Sequence, residues 1–340
     1  MLLAILILTA RSFKYAIHKQ TSTISWLFYH HKTMTTTHHC WSETGRATLD
    51  DWYSRALKRM TVPYESAIVH TRYGPTHVLT SGLPDRPALL LLHGINTCAA
   101  VWRPQLQTLC EDYYVIAPDV VGFTGWSAPT RLPYHDSSYG EWAADVLDGL
   151  GVSAAVVAGS SGGGPFAVKL AVAHPQRVTG LILLNSASLA PLRFPFNLTR
   201  LPGVPGFLNH LNRLLTGRPA LARLLVRGGI APQLPLDPER VAFSTLLLRH
   251  YRRYGPPGLL RDAELKAITA PTLLLESEYE VYYDPTRVIA RARAALPALV
   301  SAEVIPGAGH DANIDQATWF NARLRRFMTA VLLKGAPQHR

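Results

Sequence analysis

Acidic residues are scarce in this 340-residue chain, and cysteine is nearly missing. Three cysteines, Cys40, Cys98 and Cys110, are too few for a disulfide framework and point to a reducing compartment. The N-terminal apolar run, Met1 to Leu8, falls far short of the roughly twenty residues a membrane-crossing helix needs, so no integral membrane span is expected. Asp and Glu number 23 against 34 Lys and Arg, a formal charge of +11. Such a surplus suits nucleic acid or an anionic membrane. Yet there is no run of about five or six like charges, and aromatic residues do not interleave with basic ones. The surplus reads as a solvated surface, and no nucleic-acid partner is expected. His38-His39-Cys40, near His30 and His31, has no spaced partner set and reads as disordered. Neither a metal nor any other cofactor is expected.

No acid precedes Glu43. Three readings of that opening stay open: a weak signal peptide ending near Leu8-Thr9-Ala10, an organelle transit peptide, or a stretch ahead of a true start at Met34. Each leaves residues 1–45 outside the fold, and the cytoplasm is the default location.

The rest is 48% hydrophobic and only 17% charged overall, which describes a globular chain with a large core. Ala67 to His70 and His77 to Thr80 flank Tyr73-Gly74-Pro75 as a hairpin. Ala88 to Leu92 is a continuous apolar run, the pattern of a strand buried on both faces of a parallel sheet. Strand-like runs recur at Tyr113–Ala117, Ala155–Ala158, Gly180–Leu184, Thr272–Leu275 and Ser301–Ile305. Between them lie helical periods such as Tyr139–Leu150, with Trp142, Val146 and Leu147 on one side. The alternation predicts an α/β fold, a doubly wound, mostly parallel sheet of about eight strands. It breaks over residues 190–267, which carry eleven arginines against Asp237, Glu239, Asp262 and Glu264. Short helices are expected there at Phe207–Leu215, Pro219–Val226 and Asp237–Tyr254. That segment is a helical cap inserted between core parts at 46–189 and 268–333, and 334–340 is a tail.

Ala155 to Pro175 organises the chain. A strand run enters Gly159-Ser160-Ser161-Gly162-Gly163, a G-x-S-x-G turn, and a helix leaves it. Such a turn strains its central residue and lifts the Ser161 side chain clear of the sheet. Two competing readings fail. After Gly164 come Pro165 and Phe166, not the Lys and Ser/Thr of a phosphate loop, and the interval from Val178 to Pro191 lacks the acid of a dinucleotide site.

Parallel sheets gather reactive groups where strands end. Besides Ser161, two such ends carry fitting chemistry: Glu280 after Thr272–Leu275, and His310 after Ser301–Ile305. A serine hydroxyl needs a base to take its proton, and an acid to orient that base. His310 and Glu280 fill those roles, with Glu276, Glu278, Asp284 and Asp311 as alternative acids. The amides of Ile95 and Gly162 are the expected oxyanion donors. His93 reads as support for the oxyanion loop, and His174 as a helix terminus.

Leu92-His93-Gly94, Ala117-Pro118-Asp119 with Gly122 and Gly125-Trp126-Ser127, the elbow, and Gly307-Ala308-Gly309-His310 together resemble the α/β-hydrolase fold family over about Val62 to Met328. Within it, the cap-bearing esterases are the similar branch. The resemblance implies a Ser-His-acid hydrolase of a small or medium carboxylic ester, working through an acyl-enzyme. A pocket would draw on Asn96, Ser160, Phe194, Phe196, Phe207 and Leu211. Two departures stand out. Ser160 occupies a place where many relatives have His, and the acid loop reads Ser277-Glu278-Tyr279-Glu280 where G-E-x-D is expected. Acyl transfer, carbon–carbon bond hydrolysis and non-catalytic ligand binding remain as alternatives on the same fold.

Overall fold

Four consecutive leucines, Leu89 to Leu92, are fully buried, and they divide by parity. Leu90 and Leu92 join one apolar cluster, Leu89 and Leu91 the other. The same alternation splits Val157 from Val156 and Ala158, Leu181 and Leu183 from Ile182 and Leu184, and Leu274 from Leu273 and Leu275. This is what a sheet covered on both faces demands of its strands. The computed structural model describes residues 42–193, 219–251 and 256–335.

The sheet has eight strands: β1 (Glu65–Thr71), β2 (Gly74–Ser81), β3 (Ala88–Leu92), β4 (Tyr114–Pro118), β5 (Ala155–Ser160), β6 (Val178–Leu184), β7 (Thr272–Ser277) and β8 (Leu299–Ile305). Their spatial order is β1-β2-β4-β3-β5-β6-β7-β8. β1 and β2 form an antiparallel hairpin, and β2 pairs antiparallel with β4. From β4 onward every pair is parallel. The hairpin turns at Arg72-Tyr73, one residue before the expected place. Gly74 and Pro75 are already paired, with Thr71 and His70. Gly74 makes this possible through a φ of 109°, which a side chain would resist.

One face of the sheet carries α3 (Ser138–Gly149), α4 (Gly163–Ala173) and α8 (Pro285–Ala295). The other carries α1 (Glu43–Leu57), α2 (Arg103–Leu109) and α10 (Ala317–Gly335). Gly151, at φ 68°, stops α3 as the sequence suggests. Asp284 caps α8 by accepting from the Thr286 and Arg287 amides.

Three boundaries differ from expectation. α1 begins at Glu43, inside the stretch assigned to the tail. Ser42 caps it, and Leu49 and Tyr53 are fully buried. The acid-free stretch ends where α1 begins. α10 continues to Gly335, two residues into the expected C-terminal tail. Within the inserted segment, α5 (Pro219–Gly229) and α6 (Pro238–His250) are helices, the latter ending before Tyr251 turns extended. Leu260 and Leu265, the second on α7 (Asp262–Lys266), already belong to a sheet-covering cluster. The chain thus rejoins the core before residue 267. The opening residues 1–41 and the helix expected at Phe207–Leu215 lie outside the described residues. Among the described residues no helix is long and apolar enough to cross a membrane.

Candidate active site

Ser161 sits between β5 and α4 with φ 52°, a left-handed conformation that a serine adopts only when its surroundings enforce it. The enforcement is visible. Its amide donates to Leu184 O at 2.9 Å, and its carbonyl accepts from the Gly164 and Ala187 amides. A β-carbon on Gly159 would lie 2.4 Å from Gly163 O, and one on Gly163 would lie 2.1 Å from Leu92 O. The elbow's small residues are therefore required by the backbones packed against them.

The loop after β3 lies against this turn. A β-carbon on Gly94 would stand 3.0 Å from that of Ser161, and one on Gly162 would stand 3.0 Å from Ile95 N. The backbones of Ile95 and Gly162 are neighbours beside the serine. Asn96 follows with φ 59°. His93 supports the loop from behind: its Nε2 accepts from the Val120 amide at 2.8 Å, so the ring's proton sits on Nδ1, against Gly94 O. Burial lowers its pKa, against the opposing charge of Asp119, which suits this neutral, structural ring.

Glu280 follows β7, and His310 follows β8. His310 Nδ1–H donates to Glu280 Oε2 at 2.6 Å, and the other carboxylate oxygen accepts from the Tyr282 amide at 2.7 Å. The Tyr282 ring meets the imidazole edge-on, with centroids 4.5 Å apart. Burial alone would lower the His310 pKa. The charge and hydrogen bond of Glu280, with Asp311 and Asp315 behind them, hold it above the ordinary histidine value instead. Of the other acids weighed from sequence, Asp311 adds its charge to the field at His310. Glu278 accepts from the Gly307 amide, Asp284 caps α8, and Glu276 lies fully buried within β7.

Asn185, at the end of β6, fastens these parts together. Its Nδ2 donates to His310 O and to Ser277 Oγ, both at 2.7 Å, and its Oδ1 accepts from the Ser277 amide. Its neighbour Leu184 holds the Ser161 amide. The end of β7 and the histidine loop therefore meet at the Asn185 side chain, and the elbow is bonded to the residue before it. Among the described residues the Ser161 hydroxyl makes no hydrogen bond, to His310 or otherwise. Contacts of this kind are commonly long without substrate and tighten on binding.

A region matching the α/β hydrolase fold family model spans residues 87–224. The carboxylesterase nap of Bacillus subtilis is 31% identical over 284 residues, 82% of this chain and 91% of that relative. The chain belongs to the α/β-hydrolase fold family. Bacillus subtilis carboxylesterase YbfK is 29% identical over 280 residues, 81% of this chain and 92% of its own length. Two crystal structures from that organism superpose on the same fold, each covering 84% of this chain and 99% of the other. Naproxen esterase does so at TM-score 0.68 and 29% identity, and carboxylesterase CesB (YbfK) at 0.71 and 25%.

Of the residues expected around a family pocket, Ser160 ends β5, nearly buried, and Asn96 lies in the loop after β3. Phe194, Phe196, Phe207 and Leu211 lie outside the described residues. Asn185 and Tyr282 were not singled out from sequence. Their roles arise from juxtaposed strand ends rather than from any local pattern.

Proposed function

We propose that this chain is a serine hydrolase that cleaves a small or medium carboxylic ester through an acyl-enzyme. Ser161 is the nucleophile, His310 the general base and Glu280 the orienting acid. The observation that carries this reading is the 2.6 Å pairing of His310 with Glu280, on a loop that Asn185 fastens beside the elbow. Kinship with two carboxylesterases, over most of both chains, supports hydrolysis of an ester bond.

In this mechanism His310 Nε2 takes the Ser161 proton as the oxygen attacks the ester carbonyl. Glu280 stabilises the imidazolium, whose proton then passes to the departing alkoxide. The oxyanion forms against the amides of Ile95 and Gly162, each worth about 3 kcal/mol of barrier. Water then repeats the sequence on the acyl-enzyme. A Glu in place of Asp reaches farther, and the Tyr282 amide fixes that longer side chain.

A fluorophosphonate probe tests the reading directly. Mass spectrometry is expected to place one adduct on Ser161, with turnover of p-nitrophenyl esters falling as the acyl chain lengthens. A wild-type protein that neither labels nor hydrolyses any ester would leave ligand binding on this fold as the better account.

A further inference from the structure

Besides its bonds to the ends of β6 and β7, the histidine loop, Pro306 to His310, is tied to the segment that carries α5 and α6. Gly229 O, at the end of α5, accepts from the His310 amide at 2.8 Å. Gln233 Nε2 donates to Gly307 O at 3.0 Å. Arg240, in the first turn of α6, pairs with Asp315 at 2.7 Å, and the other Asp315 oxygen accepts from the Gly309 amide at 3.0 Å. The fit is close: a β-carbon on Gly309 would stand 2.5 Å from Gly229 O.

We propose that Arg240 is a positioning residue: through Asp315 it holds the loop that carries His310, so the seat of α6 sets the base in its working place. The proposal rests on the reading of His310 as general base. Asp315 is 2% exposed and Arg240 14%, so the pair is shielded from solvent screening. The guanidinium is held by one arm only. Its Nε and Nη2 are buried and have no partner among the described residues. A single-armed pair is easier to part than a bidentate one. It suits a latch that yields when the insertion shifts.

Two consequences follow from removing Arg240. The Gly309 anchor loosens, and His310 moves relative to Ser161. Misplacement of about 1 Å costs roughly a hundredfold in rate. The field at the imidazole changes as well. Glu280, Asp311 and Asp315 face it with negative charge, while Tyr282 covers its edge. Behind them stand Arg240 on Asp315, Arg193 on the Glu280 carbonyl, and buried Glu276. Burial already raises the Asp315 pKa, and Arg240 is the chief opposing influence. Without Arg240 the Asp315 carboxyl takes up a proton more readily. The charge that His310 faces changes with it.

The test compares Arg240→Gln, Arg240→Lys and Arg59→Gln with the wild type. Arg59 pairs with Glu239, the neighbour of Arg240 on α6, and does not touch Asp315. With p-nitrophenyl butyrate, kcat of Arg240→Gln is expected to fall about tenfold or more, with KM within about twofold. The acid limb of kcat/KM, and the NMR titration midpoint of the His310 ring, are both expected to move away from their wild-type positions. Arg240→Lys restores the midpoint and part of the rate, and Arg59→Gln leaves the midpoint in place. Thermal unfolding checks that each variant is folded. A wild-type midpoint together with wild-type kcat in folded Arg240→Gln overturns the proposal. Failure of the wild type to label with fluorophosphonate sinks the hydrolase reading instead, and the ring titration still reads the Arg240 coupling on its own.

Discussion

Among the described residues, two histidine–carboxylate pairs have a fully buried carboxylate, and their geometry is nearly the same. His310 meets Glu280 at 2.6 Å, and His77 meets Asp119 at 2.8 Å. Their surroundings differ entirely. His77 and Asp119 are both fully buried. The Asp119 carboxylate accepts four hydrogen bonds, from His77, the Tyr53 hydroxyl, and the Ala99 and Trp126 amides. The far side of the His77 ring is taken by Ser66, and Tyr53 and Trp126 enclose it. Every polar atom of that pair is spent on joining α1, β2, β4 and the loop after β3. The His310 side chain, by contrast, is 13% exposed. On the proposed mechanism, a histidine beside an acid is a joint or a base according to what its second nitrogen meets.

That contrast predicts its own largest effect. Under the proposed mechanism Ser161→Ala removes the nucleophile, and turnover is expected to fall on the order of 10⁴-fold or more, with the unfolding midpoint nearly unchanged. Ester hydrolysis under initial-rate conditions, beside a melting curve, checks both halves.

Next comes the acid. Glu280→Gln keeps the shape and removes the charge, and kcat is expected to drop on the order of a thousandfold. The sign of the pH effect follows from the forces on His310. Burial lowers its pKa, and Glu280 is the main reason the value stands above ordinary. Without that charge the acid limb of kcat/KM moves to lower pH. A limb that stays in place would mean that another carboxylate, Asp311 or Asp315, supplies the field.

Asp119→Asn probes the other pair, and there the loss is in stability. An amide has one acceptor oxygen, so it leaves two of the four donors facing an NH₂ group. Breaking a buried pair of this kind costs about 3 kcal/mol. Denaturant unfolding is expected to show that deficit, while the folded fraction, counted by fluorophosphonate titration, retains kcat within about tenfold. A larger catalytic loss would mean that the Ala99 anchor controls the oxyanion loop more tightly than its place, three residues past Asn96, implies.

The same contrast shows what could be read in the chain before its fold. The elbow was legible because its demands are local: Gly159 and Gly163 must be small for the turn to close, and both flank Ser161 within five residues. The leucine run of β3 was legible because burial on two faces leaves no polar position. His310 and Glu280 were legible through their order and their places at strand ends. His77, Asn185 and Arg240 were not. Each acts on residues 42, 125 and 75 positions away, respectively, and no period or motif records such a meeting. α1 was not read at all: its cap, Ser42, lies in an acid-free stretch that ends one residue later.

A third buried carboxyl sharpens the comparison with the smallest effect. Glu276 lies in β7, and among the described residues neither of its oxygens has a hydrogen-bond partner and no histidine pairs with it. Burial first, and the nearby Glu280 charge second, push its pKa well above the ordinary range, with the Ser186 backbone offsetting part. It is therefore protonated in the folded chain where an unfolded one would be charged. The sign follows from linkage. A carboxyl whose folded value is raised gives stability that is complete below its unfolded pKa, about 4.3. That stability is lost as pH climbs through the folded value. Glu276→Gln imitates the protonated form at every pH. Its stability relative to wild type is expected to match near pH 4 and to gain steadily above it, as read from denaturant midpoints across pH 4 to 9. Activity should change little, because the residue touches neither His310 nor Ser161. A flat difference across that range would mean that Glu276 is ionised in the fold and finds a partner that these contacts do not provide.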